Sequence, residues 1–336
     1  MKTNKKISLF LIIFSILVSL VIVEVLLRLT GFKPWVYEKT ESGNQEIFIN
    51  DSDLGWISKK GTYELVIDNK LKSKVKIVIA NEGDRFTGIN NKTKQKIIFI
   101  GGSFTQGWGV NDSDTFAYLI QKKFNNFYAY NFAQSGYSGV QSLLLLKRKI
   151  KNIKSTKLII YGFIEHHEQR NVARSGWLKT LQRYSKRGHK QTPKIPYASV
   201  NKLGELAYYK PVGYMTLPLR EKFATVALIE NFYMKQSSRH RKKTQKKVTK
   251  KIFYELNKIT KKNNANFLVV NLNSSNRFNE QEYESFLKKN KINYANCNLV
   301  LDEDLMIPND FHPNEKAHFL YSKCISDYIE KNSLLF

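Results

Sequence analysis

The sequence predicts an α/β protein: a three-layer α/β/α sandwich on a parallel sheet, preceded by one N-terminal transmembrane helix. Three observations carry this. From residue 96 onward, short apolar runs bounded by turn residues alternate with segments of helical period, the pattern of βαβ units. The first run ends in the small-residue turn Gly101-Gly102-Ser103, suited to the carboxyl edge of an open sheet, where such folds bind ligands. Residues Ile7 to Val23, ISLFLIIFSILVSLVIV, carry no charge.

That apolar run is 17 residues long and spans roughly 26 Å as a helix, near the lower limit for a bilayer core. Glu24 interrupts it, but Val25, Leu26, Leu27 and Leu29 continue it, and Arg28 can snorkel to the interface. The following EVLLRLTGF offers no small-x-small cleavage site and no lipobox cysteine, which favours an uncleaved signal anchor over a removed signal peptide. Lys2, Lys5 and Lys6 on the short flank predict a cytoplasmic N-terminus at residues 1–6, an anchor at 7–29 and an extracytoplasmic remainder. The protein is therefore expected in the cell (inner) membrane as a single-pass chain.

Residues 30–95 read as an accessory lead-in with strand-like pieces, TYELVID and VKIVIA. The main domain is expected over 96–336. Its strands are KIIFIG (Lys96 to Gly101), FYAYNFA (Phe127 to Ala133), KLIIYGF (Lys157 to Phe163) and NFLVVNL (Asn266 to Leu272). Helices are expected at Asp114 to Phe124, capped by Ser113 or Asp114, at Val140 to Ile150, near Lys242 to Lys262, and from about Asn314 to Asn332. A proline- and aromatic-containing insertion is expected around 174–235.

The chain has 336 residues and a formal charge of +27, from 55 Lys and Arg against 28 Asp and Glu. That excess could serve anionic headgroups, an acidic polymer or nucleic acid. It also fits a composition simply rich in Lys, Asn and Ile, and it lacks the aromatic interleaving of a base-stacking surface, so no nucleic-acid partner is expected. The Lys-rich segment KKTQKKVTKKIFYELNKITKK has Val248, Ile252, Leu256 and Ile259 on one stripe, as an outer-layer helix should. Cys297 and Cys324 are the two cysteines; they can form one disulfide in an oxidising compartment, but no framework.

Two constellations carry chemistry. The turn continues as Gly101-Gly102-Ser103-Phe104-Thr105-Gln106-Gly107-Trp108-Gly109-Val110. It is neither a Walker loop, lacking Gly-Lys-Ser/Thr, nor a G-x-S-x-G elbow, yet it presents a serine hydroxyl at a strand end. Near the C-terminus lies Asn309-Asp310-Phe311-His312-Pro313-Asn314. An imidazole suits the task of taking a serine proton near neutral pH, and a carboxylate two residues away can fix its tautomer. Pro313 and Asn314 read as the start of a helix, placing His312 on a loop. His318 is expected to pack against the sheet. Glu165, His166, His167 and Glu168 are adjacent and point in different directions from a strand end, so no metal site is expected, and no cofactor.

Three ordered blocks resemble the SGNH (GDSL-like) hydrolase superfamily. Gly101 to Val110 is similar to its first signature, GDSxTxGxGV; Tyr130 to Gly136, YNFAQSG, resembles the second; Asp310 to Asn314 resembles the last. DLGW (Asp53 to Trp56), NEGDRFTG (Asn81 to Gly88) and the anchor resemble a membrane-anchored, extracytoplasmic branch that includes polysaccharide O-acetylation and deacetylation proteins. The resemblance implies a flavodoxin-like sandwich with Ser103 as nucleophile, His312 as base and Asp310 orienting it. The N–H groups of Ser103 and Gly136 would bind the oxyanion. The sequence departs from the family at Gly102, where an Asp is usual, and in placing Asp310 two rather than three residues before the histidine. It departs again where the oxyanion Asn belongs: that position holds His166, whose ring N–H can also donate.

The expected function is thus a serine esterase using an acyl-serine intermediate, acting on acyl groups, by family analogy acetyl, of a cell-envelope or exported glycan. The alternatives are an O-acyltransferase onto polysaccharide and a non-catalytic envelope or glycan-binding protein that keeps the fold. The expected partners are the membrane, an acylated glycan or small ester, and other envelope polysaccharide-modifying proteins.

Overall fold

The computed structural model describes residues 2–37, 47–68, 73–88, 95–184, 194–272 and 280–335. The chain begins with helix α1 (Lys2–Leu29), followed by two antiparallel hairpins, β1 (Phe48–Asp51) with β2 (Gly55–Ser58) and β3 (Gly61–Asp68) with β4 (Ser73–Ile79). Next come β5 (Gln95–Gly101), α2 (Ser103–Gln106), α3 (Phe116–Lys123), β6 (Phe127–Asn131), α4 (Gly139–Lys149), β7 (Thr156–Phe163), α5 (His166–Asn171) and α6 (Ser175–Tyr184). A hairpin of β8 (Ile195–Val200) and β9 (Leu206–Val212) precedes α7 (Ala224–Lys242) and α8 (Gln245–Lys262). The last elements are β10 (Asn266–Asn271), α9 (Glu280–Lys289), β11 (Asn293–Asn296), the ribbon β12 (Met306–Ile307) with β13 (Asp310–Pro313), and α10 (Glu315–Lys331).

These elements form two compact units. The larger is built on five parallel strands in the order β11-β10-β7-β5-β6. Counted along the chain this is the flavodoxin-like arrangement, whose direction of winding reverses between the first and third strands, here β5 and β7. Alternate side chains of each strand face opposite layers. Ile98, Ile100, Ile159, Tyr161 and Val269 pack with Val140, Leu143, Val248 and Ile252 of α4 and α8. Ile97, Phe99, Leu158, Ile160 and Val270 pack with Phe116, Ile120, Tyr321 and Ile325 of α3 and α10. The sandwich is therefore three-layered, as the sequence pattern predicts.

Several local expectations need correction. The cap of α3 is Thr115, whose side chain accepts from the Tyr118 N–H, rather than Ser113 or Asp114, which fall in a preceding 3-10 turn. The segment 174–235 is not one insertion: the β8–β9 hairpin belongs to the larger unit, with Ile195 and Ala198 fully buried. The lead-in shares the main core, since Leu54 lies in the cluster under α4 and α8. Strand β11 has no counterpart in the sequence reading, because NYAN is short and only its Ala295 is buried.

Cys297, just past β11, is joined by a disulfide to Cys324 of α10 across 27 residues. A cross-link closing a loop of that length restricts the unfolded chain by about 3–4 kcal/mol. Reduction, or replacement of both cysteines by Ala, is expected to lower the thermal midpoint by several degrees, measured by circular dichroism with and without reductant.

The smaller unit holds α1, α6 and nearly all of α7. Within α1, Lys6–Leu29 is long and apolar enough to cross a membrane, a test that a signal sequence also passes.

Candidate active site

The serine is delivered by the end of β5. That strand is buried through Gly101, where the chain turns out of the sheet at φ 153°. A Cβ on Gly101 would lie 2.5 Å from Thr105 Oγ1 and 2.8 Å from the Gly162 carbonyl. Gly102 is required by close approach: a Cβ there would stand 2.8 Å from His167 Nε2. His167 cannot yield, being fully buried with Nδ1 2.7 Å from the Tyr161 hydroxyl. The position at which the sequence departs from the GDSL pattern is thus filled by an imidazole. Gly102→Ala is expected to destabilise the protein by about 1–3 kcal/mol through overpacking, read as a lowered denaturant midpoint with unchanged slope.

Ser103 opens α2, a single turn ended by Gly107 in the left-handed region, whose N–H donates to the Ser103 carbonyl. The turn is fastened from beneath. Asn131 Nδ2 donates to the Thr105 carbonyl at 3.0 Å, and Asn131 Oδ1 accepts from the Ala133 N–H. The buried Arg85 guanidinium donates to the carbonyls of Gln106 (3.0 Å), Gly107 and Val110 (2.6 Å), and its Nε to Asp112 (2.7 Å). A buried charge is tolerable when paired and fully hydrogen-bonded in this way.

His312 comes from the opposite end of the sequence. It sits on β13, one strand of a two-stranded ribbon, rather than on the expected loop. Asn309, at φ 61°, makes the tight turn before it. The His312 Nδ1–H donates to Asp310 Oδ1, leaving Nε2 to accept from the Ser103 hydroxyl at 2.8 Å. Phe104 packs edge-on against the imidazole, with ring centres 5.7 Å apart. Partial burial raises the Asp310 carboxyl, but hydrogen bonds and charge from His312, and a hydrogen bond from the Trp108 side chain, outweigh it. The net effect holds Asp310 below its ordinary value, so it is an anion at neutral pH.

The remaining expected residues are placed as follows. Gly136 lies in the turn after β6 at φ 79°. Its neighbour Ser135 donates both its N–H (2.9 Å) and its hydroxyl (2.5 Å) to Gln106 Oε1, which ties the Gly136 loop to the turn carrying Ser103. His166 starts α5 just after β7, with its side chain exposed. Although the residue reaches solvent, the protein packed around the ring removes part of its hydration; this desolvation, then the charges of Arg170 and His312, push it below the ordinary histidine value, leaving a neutral imidazole at pH 7. The cluster around it diverges: His167 turns inward to Tyr161, while Glu168 accepts from Tyr283 (2.7 Å) and Gln245 (2.8 Å). Among the described residues no three His, Cys, Asp or Glu side chains form a metal-binding group. His318 is buried beside Phe116 and Tyr321.

Sequence reasoning missed Trp108, Gln106, Arg85 and His167. Trp108 and Gln106 lie inside the first block, where an indole and an amide among glycines were a usable signal. Arg85 lies in the quoted NEGDRFTG segment, but its partners are 21 to 27 residues away.

The fold and site together define an α/β protein with a Ser–His–Asp array at the carboxyl end of β5, beside the point where the winding of the sheet reverses. No family model matches the chain, and no curated protein does. Solved structures do. A protein described as lipolytic and of the G-D-S-L family, from Desulfitobacterium hafniense DCB-2, is 10% identical over 70% of this chain and 99% of its own, with a TM-score of 0.40. The esterase EstA from Pseudoalteromonas sp. is 13% identical over 71% and 98%, with a TM-score of 0.37. A carbohydrate esterase is 14% identical over 75% and 69%, with a TM-score of 0.38.

Proposed function

We propose that the chain is a membrane-anchored serine esterase that works through an acyl-serine intermediate. The observation that carries the reading is the Ser103 hydroxyl 2.8 Å from His312 Nε2, with the other ring nitrogen bound to Asp310. In the proposed cycle His312 takes the Ser103 proton as Oγ adds to the acyl carbonyl carbon. The N–H groups of Ser103 and Gly136 and the neutral His166 ring bind the resulting oxyanion, each such donor being worth about 3–4 kcal/mol in comparable sites. His312 then returns the proton to the leaving alcohol, and water, deprotonated by the same ring, releases the acid. The substrate class we propose is a small acyl group, acetyl first, on a cell-envelope or exported glycan. An extracytoplasmic site is supported by α1 and by the disulfide, since such bonds persist in oxidising compartments.

The test is labelling of the detergent-solubilised full chain with a fluorophosphonate probe. Wild type is expected to label and Ser103→Ala not to. Equal labelling of the two would assign the nucleophile elsewhere, and no labelling of wild type, beside a serine esterase that does label, would remove the catalytic reading. Following donor consumption with and without a glycan acceptor separates hydrolysis from transfer.

A further inference from the structure

Helix α7 is inside out for a protein surrounded by water. Its buried line is Ala224, Ala227, Glu230, Met234 and Ser238. Its outward residues include Leu228, Ile229, Phe232 and Tyr233, which are 36%, 55%, 63% and 54% exposed. Soluble helices turn the apolar stripe to the core; here the inward face carries a carboxylate and the outward face the large apolar groups. The carboxylate is satisfied. Glu230 accepts from Arg220 Nη1 at 3.1 Å and from the Leu217 N–H at 2.7 Å, while Arg220 also donates to the Tyr37 hydroxyl and stacks 4.2 Å from the Trp35 ring centre. A buried, hydrogen-bonded carboxylate under an apolar skin is what hydrocarbon surroundings favour.

The position of this skin is set by α1. Glu24, in the last two turns of the apolar helix, accepts from the N–H groups of Ala224 and Thr225 (both 2.9 Å) and from the Thr225 hydroxyl (2.8 Å). Arg28 bonds Glu24 at 2.7 Å and donates to the Lys222 carbonyl at 2.7 Å. The start of α7 is therefore pinned to the end of α1 where its charged residues appear. The exposed Phe223 immediately precedes this start, the Leu228–Tyr233 group lies within the next turns, and the basic residues Lys235 and Arg239 follow. An apolar face with aromatic residues and a basic flank is the signature of a helix lying in the membrane interface.

We propose that the face of α7 bearing Leu228, Ile229, Phe232 and Tyr233 lies in the interfacial layer of a phospholipid bilayer, on the side where α1 emerges, as a second and in-plane membrane contact. The inference rests on the reading of α1 as a membrane span. The test uses the full chain in nanodiscs of phosphatidylethanolamine and phosphatidylglycerol, spin-labelled at one introduced cysteine at a time. The native cysteines are paired with each other and take no label. Ile229→Cys and Phe232→Cys are compared with Phe14→Cys in the middle of α1 and with Leu203→Cys, which is 83% exposed in the larger unit. Accessibility to oxygen, which concentrates in lipid, and to a water-soluble nickel chelate is read at each site. The expected result is an oxygen-to-nickel ratio at 229 and 232 shifted from that of position 203 toward that of position 14. A ratio at 232 equal to that at 203, with position 14 in lipid, overturns the inference and leaves the span standing. Exclusion of both agents at 229 and 232 also overturns it, because protein, such as a second copy, then covers the face. A water-like ratio at position 14 removes the span and the inference with it.

Discussion

Replacing Ser103 by Ala in this chain is expected to lower kcat/KM toward an activated ester on the order of 10^4- to 10^6-fold. In the proposed cycle the three side chains share one proton path. With Nδ1–H directed to Asp310, the imidazole presents a lone pair to the Ser103 hydroxyl 2.8 Å away. Without the serine there is no covalent intermediate, and what remains is the binding of the polarised carbonyl. His312→Ala is expected to cost a similar factor, and the Ser103/His312 double variant no more than either alone, because the two act as one unit. Asp310→Asn should cost about 10^4-fold, since an amide can turn its N–H toward Nδ1 and stabilise the wrong tautomer. Trp108→Phe removes only one of the donors to Asp310, so its loss should be far smaller. The measurement is steady-state hydrolysis of a nitrophenyl ester by protein whose fold is checked by circular dichroism. Additive losses in the double variant, or a Ser103→Ala enzyme as active as wild type, would sink the assignment of these groups to one cycle.

The larger unit was legible where burial imposes a pattern. Interior parallel strands are apolar on both faces, and Ile97 to Ile100 and Leu158 to Phe163 read as strands for that reason. Ser103 and His312 were legible because a serine in a glycine turn and an Asp-x-His before a helix are local patterns. Their supports were not. The indole that reaches Asp310, the amide that ties Ser135 to the serine turn and the imidazole against Gly102 meet their partners only after the sheet has formed. The smaller unit shows a different limit. The apolar residues of α7 repeat with helical period, and a reading that assigns every such stripe to a core would turn the helix the wrong way. Its direction is decided by Glu230, whose lack of exposure depends on Arg220 ten residues earlier.

Lowering the pH from 7 toward 3 is expected to destabilise the larger unit, with His318 a principal cause. Its Nδ1 accepts from the Phe116 N–H at 3.3 Å, the ring stacks on Phe116 at 5.6 Å, and the side chain is fully buried. The ring is therefore neutral, with its proton on Nε2. Burial, then the charges of Arg85 and His312, lower its pKa from 6.5 to about 3. Because the folded value lies below the unfolded one, the unfolded chain binds a proton that the folded chain refuses between these two values. The contribution is complete above pH 6.5 and is lost as pH falls toward 3, a total of roughly 5 kcal/mol at about 1.4 kcal/mol per unit. That is comparable with the whole stability of many domains. His167, buried and lowered well below the ordinary value by desolvation, Arg170 and His166, acts with the same sign. His318→Gln keeps an acceptor for the Phe116 N–H and removes the titration. Between pH 4 and 6 its unfolding free energy is expected to fall less steeply than wild type's, by up to one proton, about 1.4 kcal/mol per pH unit. Urea unfolding of both proteins at several pH values measures this, and parallel curves would mean that His318 takes its proton in the folded state, with the Phe116 hydrogen bond already broken.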